Sequence, residues 1–309
     1  MYYIGIDLGG TVIKIGLVRQ GEVIACQTLE ANSKQGLQPK LEMIAEVTNA
    51  LLSDASVTSK ELGGIAMAFP GIVDVNRKQV ISTNAKYDDA HLADLPTWCL
   101  NHWGVPFAID NDARMATVGE WKYGAARSKT NVVMMTIGTG IGTGVIIDNQ
   151  LLYGKHYMAG SLGGHLIADY HGRQCSCGNV GCIEALSSSF FLPQIIGENK
   201  RLNASFRSDA SNFNFKALFT QAAARVADAQ TVVKECMNVW SAGIVNYIHA
   251  YDPQTVIIGG GIMKSKEIIL PYVRKRVQSL AWCPFEEVEI VASELGDHAA
   301  LLAAEYYFN

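Results

Sequence analysis

Apolar residues near the start of the chain run in three blocks broken by short polar turns. YYIGIDL, VIKIGLV and EVIACQTL each carry the apolar density of a strand, with GGT and then Gly21 in the breaks between them. An opening meander of three strands is predicted. Over 38–54, QPKLEMIAEVTNALLSD, the apolar positions Leu41, Ile44, Ala45, Val47, Leu51 and Leu52 fall at the spacing of an amphipathic helix. GGIAMAF then supplies a further strand, ending at Pro70 and Gly71. The plan returns later: TNVVMMTI reads as a strand, GTGIGTG as a glycine-rich turn and VIIDNQLLY as a returning strand. Such a repetition predicts two related halves. Beyond it the pattern predicts a long helix over 228–251, a strand at TVIIGG running into a glycine turn, and a closing helix over 296–307.

Strands and helices in mixed order predict an α/β protein with parallel sheets and helices on their faces. A chain of 309 residues suits about two domains. The expected boundary lies near the turn at Asp110 to Asp112, giving a first domain over 1–110 and a larger second one over 111–295, with the last helix, from about 296, packing back on the first. Hydrophobic residues make up 49% of the chain and charged ones 17%, as in a well-packed globular protein. A net charge of -4, with no cluster of Lys and Arg, argues against a nucleic-acid surface. No apolar run reaches the roughly 20 residues a bilayer span needs, and MYYIGIDLGG has no basic segment followed by an apolar one. The expectation is a soluble, cytoplasmic protein without a membrane partner.

Three glycine turns, each following an apolar strand, are the first chemical signal. They are Gly9 and Gly10 with Thr11, the stretch from Gly138 through Thr139, Gly140 and Thr143 to Gly144, and Gly259, Gly260 and Gly261. Glycine lets backbone amides approach phosphate oxygens, and the threonine hydroxyls can donate further bonds. One such turn is weak evidence; three in this placement predict a nucleotide cradle. The pattern is neither a P-loop nor a Rossmann fingerprint, because no G-x-x-x-x-G-K-[ST] is present and the first turn lacks the spacing G-x-G-x-x-G. In this order, DLGGTVIK, TIGTGIGTG and VIIGGG resemble the phosphate and adenosine loops of the superfamily that includes sugar kinases, actin and the heat-shock ATPases.

Carboxylates gain a role in that setting. Asp7 ends the first strand, where it either holds Mg²⁺ through water or caps the glycine turn. Lys14 in the second strand either points to the triphosphate or lies on a solvated face. AIDNDARMATVGEW sets Asp110, Asn111 and Asp112 between a strand and a helix, and an N-cap is the ordinary use of such residues. Phosphoryl transfer also needs a carboxylate to take a proton from the attacking hydroxyl, so Asp112 is assigned as that base and Asn111 as a sugar contact. CSCGNVGC places Cys175, Cys177 and Cys182 close together, three of the seven cysteines, with His165 upstream. One imidazole and three thiols suit a structural Zn²⁺, with His171 as a competing ligand. The spacing H-x₉-C-x-C-x₄-C is not that of a standard finger, so a redox cluster stays open as the alternative.

GGHLIADYHGRQCSCGNVGCIEA closely resembles the zinc signature of the ROK family (repressor, open reading frame, kinase), and the resemblance extends from Ile4 to about Leu302. It takes in DLGGT, FPGIVD with Gly71, the Asn84 region, DNDA and the three glycine turns. The resemblance implies a two-domain actin-like ATPase (ribonuclease H-like) fold with a cleft between domains, and ATP-dependent phosphorylation of a hexose by a homodimer or homotetramer. It further implies that Gly71, Asn84, Asn111, Asp112, His165 and Glu184 contact sugar, and that His165 and the three cysteines bind zinc. One position departs: many members have E-x-G-H, and here Leu162, Gly163, Gly164 and His165 stand in its place. Leucine cannot accept bonds from sugar hydroxyls, and sites matched to hydroxyls discriminate strongly. A substrate other than plain glucose, or a weaker kinase, is therefore expected. The alternative is a sugar-sensing protein of the same family with little or no catalysis. Repressors of the family carry a helix-turn-helix ahead of the first strand, which this reading does not find before Tyr2.

Overall fold

The computed structural model describes residues 1–83, 85–284 and 287–308. The opening meander forms as predicted: β1 (Tyr2–Leu8), β2 (Val12–Arg19) and β3 (Glu22–Glu30) pair antiparallel in sequence. β4 (Leu62–Phe69) lies parallel to β1, a small hairpin follows as β5 (Ile72–Asp74) and β6 (Gln79–Ser82), and β7 (Phe107–Asn111) then lies parallel to β4. This gives one five-stranded sheet in the order β3-β2-β1-β4-β7. The second sheet holds β8 (Val132–Ile137), β9 (Ile141–Ile147), β10 (Gln150–Leu151), β11 (Thr255–Gly259) and β12 (Glu289–Ala292), in the order β10-β9-β8-β11-β12. The first strand of each sheet pairs antiparallel with the next in sequence and parallel with a later one. The two halves are thus built to one plan, and the sheets are mixed, where parallel ones were predicted.

The helices are α1 (Gln38–Asp54), α2 (Leu95–Trp103), α3 (Asp112–Tyr123), α4 (Ile183–Ser187), α5 (Leu192–Gly197), α6 (Ala204–Ser208), α7 (Phe215–Ala223), α8 (Ala227–Tyr251), α9 (Lys266–Leu280) and α10 (Ala299–Leu302). α1 starts with Pro39 in its first turn and buries Ile44, Ala45, Leu51 and Leu52 of the predicted stripe together with Lys40 and Thr48, while Leu41 and Val47 are half-buried. α8 ends at Asp252, which takes the left-handed conformation with φ 44°. β3 has only exposed and half-buried positions, as an edge strand, whereas Tyr3 to Ile6 of β1 are buried throughout. No helix among the described residues is long and apolar enough to cross a membrane.

Three sequence expectations need correction. The returning strand begins inside the glycine stretch, at Ile141, and stops at Ile147, because Asp148 and Asn149 both adopt positive φ and form a turn. The closing helix is α-helical only over Ala299–Leu302, with 3-10 turns on either side. Its Ala299 to Ala304 are all buried, and the reason is close backbone packing: a Cβ on Gly5 would come within 2.5 Å of Leu301 O, and one on Gly119 within 2.0 Å of Ala299 O. Third, the chain does not divide at Asp110 to Asp112. One compact unit comprises Met1–Ser128, Leu151–Ser161 and the chain from Asp297 on; the other comprises Lys129–Gln150 and Leu162–Gly296. α3 belongs to the first unit because its Gly119 face receives α10 and its Arg114 holds the 151–161 segment.

Candidate active site and metal centre

Register places the acids of the first unit at one edge. Asp7 stands opposite Ala68, which in turn stands opposite Asp110, so the carboxyl ends of β1, β4 and β7 lie level. The first glycine turn leaves β1 there, and a Cβ on Gly9 would sit 2.5 Å from Val12 O. No other residue fits this turn without movement of the backbone. Gly10 and Thr11 are exposed beside it. Lys14 faces Asp7 across the β1–β2 ladder, its Nζ 3.6 Å from Asp7 Oδ2 and 3.0 Å from Asp297 Oδ1. Burial raises the Asp7 carboxyl above its ordinary range, and Lys14 opposes that rise. Burial pulls the Lys14 ammonium down, but the Asp7 and Asp297 carboxylates together carry it above its ordinary value.

Asn111 is the N-cap of α3. Its Oδ1 accepts from the amides of Ala113 (3.1 Å) and Arg114 (3.2 Å), and its Nδ2 donates to Gly71 O at 3.1 Å. Both oxygen lone pairs are then used, and the side chain also hydrogen-bonds the Asp112 carboxyl. Asp112 follows in the first turn, its Oδ1 accepting from its neighbour's amide at 2.7 Å. Burial first, and the Asp7 carboxylate second, push its pKa up to about 6, against the Ala113 amide, Lys86 and Asn111. A carboxylate with a pKa near the working pH can both take and release a proton. Asn84 lies outside the described residues.

Spacing did not reveal what holds this edge. Asp110 is fully buried, and each of its partners is a donor: the Asn111 amide at 2.7 Å, Tyr153 Oη at 2.7 Å, Tyr307 Oη at 2.8 Å and the buried Arg114 guanidinium at 3.4 Å. Burial raises Asp110, with Arg114 and the two hydroxyls pulling the other way. Arg114 in turn donates to Tyr157 O at 2.9 Å and Ala159 O at 2.8 Å. Asp110 therefore ties the strand before the candidate base to two segments distant in sequence. The Asp-x-x-x-Arg spacing was the available signal, since it sets a carboxylate just ahead of a helix and an arginine one turn into it.

In the second unit the other two glycine turns lie together. Gly259 pairs with Thr136 where β11 runs beside β8, and a Cβ on Gly260, whose φ is 91°, would meet Ile137 O at 2.2 Å. A cavity of about 670 Å³ opens there, with Gly138, Thr139, Ser189, Phe215, Lys216 and Gly261 among its walls. Glu184, buried at the start of α4, accepts from the Ile141 amide at 2.8 Å through Oε2, and a Cβ on Gly140 would lie 2.4 Å from the same oxygen. The residue expected to bind sugar is thus also the brace of the second glycine turn. The amides of Ser189 and Phe190 add bonds to Gly138 O and Thr139 O.

His165, Cys175, Cys177 and Cys182 bring one donor atom each to within 4.8 Å of one another. Cys177 Sγ and Cys182 Sγ are 3.7 Å apart, and Cys175 Sγ is 3.6 Å from His165 Nδ1. Tetrahedral zinc with Zn–S bonds of about 2.3 Å would set sulfurs about 3.8 Å apart. The loop reaches this shape through Gly178 (φ 89°) and Gly181 (φ 72°); a Cβ on the latter would lie 1.5 Å from Asp169 O. Burial raises the Cys175 and Cys182 thiols, so a cation is what would hold them as thiolates. His171 is outside the cluster, its ring 3.9 Å from that of Tyr170.

Two sheets of one strand order, each with a glycine turn leaving its first strand, are the architecture of an actin-like ATPase. The family model for the ROK family matches residues 3–309, and the chain belongs to that family. A glucokinase from Thermotoga maritima is 30% identical over 310 residues, covering 97% of this chain and 95% of that protein. The xylose repressor of Bacillus subtilis is 28% identical over 97% of this chain and 75% of its own length. Among solved structures, a ROK family glucokinase from Streptomyces griseus in complex with glucose and AMPPNP matches with a TM-score of 0.79 and 25% identity, over 99% of both chains.

Proposed function

We propose that this protein is a sugar kinase that transfers the γ-phosphoryl of Mg·ATP to a hydroxyl of a hexose or hexose derivative. Asp112 carries the reading: an acid with a pKa pushed up to about 6, set beside Asp7 and one residue beyond a strand end level with it. ATP supplies the electrophilic phosphoryl group. The cavity of about 670 Å³ between the second and third glycine turns fits a nucleotide, and a Cβ on Gly140, Gly259 or Gly260 in those turns would clash with its neighbours. Gly138, Thr139, Gly140, Gly259, Gly260 and Gly261 would hold it, with Gly9, Gly10, Thr11 and Lys14 serving the phosphates and Asp7 the Mg²⁺. Gly71, Asn84, Asn111, His165 and Glu184 would contact the sugar, and Asp112 would take its proton.

Sugar-dependent ADP release across a panel of hexoses and N-acetylhexosamines tests the proposal, and its absence with every sugar overturns it. Leu162 favours a second reading, because an apolar side chain replaces a carboxylate just ahead of His165. On that reading the protein binds a sugar without turning it over. The two are separated by sugar binding measured calorimetrically beside the ADP assay.

The cysteine cluster is proposed to hold one structural Zn²⁺ and so to fix the loop that leads through Cys182 to Glu184. Elemental analysis of protein purified without chelator is expected to find about one zinc per chain. Cys177→Ser should lower that content and the melting temperature together. Full occupancy in the variant would remove Cys177 from the ligand set.

A further inference from the structure

Lys86 is a second cation beside the first glycine turn. A Cβ on Gly10 would lie 3.2 Å from Lys86 Cε and 3.6 Å from its Nζ, so the side chain arches over the first glycine turn. The residue is half-buried, and its ammonium has no hydrogen bond or ion pair among the described residues. Lys14, the other cation at this edge, is committed to Asp7 and Asp297.

The backbone beneath Lys86 is stitched to the turn. Tyr87 donates its amide to Ser33 O at 2.8 Å and its hydroxyl to Gly9 O at 2.7 Å, and Ser33 Oγ donates to Gly10 O at 3.1 Å. Ala85 and Tyr87, on either side of the lysine, both adopt left-handed backbone, with φ of 56° and 54°. Such conformations persist only where the surroundings over-determine them. Tyr87 is completely buried, so the lysine is presented from a fixed base. Its charge reaches the neighbouring acid as well, opposing the rise in the Asp112 pKa.

We propose that Lys86 is a catalytic residue of the phosphoryl transfer, its ammonium contacting the oxygens of the transferring γ-phosphoryl group. This rests on the kinase reading above. In the step, the sugar oxygen bonds to the γ-phosphorus, the bond from that phosphorus to the β–γ bridging oxygen breaks, and the hydroxyl proton passes to Asp112. The departing electron pair stays with ADP, and Lys86 remains an ammonium throughout. Fixed positive charge aimed at developing negative charge is the main source of rate in such reactions.

The test compares wild type with Lys86→Met and Lys86→Arg in the sugar-dependent ADP assay. Lys86→Met is expected to lower kcat by about 10²–10³-fold, with KM for ATP and sugar changed less than about threefold and the melting temperature unchanged. Lys86→Arg should recover at least about tenfold of that loss. The acidic limb of kcat/KM should also move above about 6 in Lys86→Met. There the groups that push Asp112 up, burial and Asp7, and those that pull it down, the Ala113 amide and Asn111, all remain, and only the lysine is lost. A Lys86→Met enzyme with kcat within threefold of wild type and an unmoved limb overturns the proposal, as does a loss confined to the sugar KM. Wild-type protein that turns over no sugar overturns the kinase reading itself, a result visible before any variant is made.

Discussion

Asp112→Asn is expected to lower kcat by roughly 10²–10⁴-fold, the range for removing a positioned general base. The amide keeps the size of the side chain and the oxygen that accepts from Ala113 N, so KM for sugar and nucleotide should move little. Wild type should lose kcat/KM as pH falls through about 6, because Asp112 is a base only when ionised. The stability effect has the opposite sign. A carboxyl whose folded pKa is raised binds its proton more tightly when folded, so stability falls as pH rises from the unfolded value through about 6. At neutral pH the asparagine variant should accordingly be as stable as wild type or more so, by on the order of 1 kcal/mol for a half-buried group. A variant that is inactive and also unstable would show instead that the residue is chiefly a cap.

Arg114→Met is expected to destabilise the protein by about 3–5 kcal/mol, read as a drop in the denaturant midpoint. The methionine can fill the space. It cannot compensate the completely buried Asp110 carboxylate, nor donate to the carbonyls of Tyr157 and Ala159. Adding Asp110→Leu should return only part of the loss, because the hydroxyls of Tyr153 and Tyr307 are then left without their acceptor. A single variant within about 1 kcal/mol of wild type would mean that the two hydroxyls and the Asn111 amide alone carry the Asp110 charge.

What the sequence disclosed depended on whether the signal was local. The meander, α1 and α8 show in short-range periodicity, and the three glycine turns announce themselves because each follows an apolar strand. The cysteine loop is as legible, since its candidate ligands fall within one short segment and a histidine just ahead of it. The Asp110 cluster was hidden because its members, at positions 110, 114, 153 and 307, meet only after the chain has folded. The unit boundary was misplaced for a related reason: α3 joins the first unit through a glycine face, and a glycine in a helix gives no hint of what packs on it. Lys86 is an ordinary lysine in a polar stretch, and only the left-handed residues beside it, neither of them glycine, give it a direction. The family pattern gives Glu184 only as an expected sugar contact; its bond to Ile141 N, which makes it a brace, belongs to tertiary structure alone.

The burial of Leu301 against the strand that carries Gly5 bears on how the protein is made. Ribosomes release a chain from its N-terminus at about 5–20 residues per second, and N-terminal domains commonly fold before synthesis ends. The first unit cannot complete itself that way. Its opening sheet waits for Leu301 to cover Gly5 and Gly16, and the buried carboxylate ahead of Asp112 waits for the hydroxyl of Tyr307. The second unit's segments are translated in the meantime. The edge that bears the candidate base is therefore finished only after the second unit's segments have been made, and a nascent chain stalled short of Leu301 would expose that edge to chaperones.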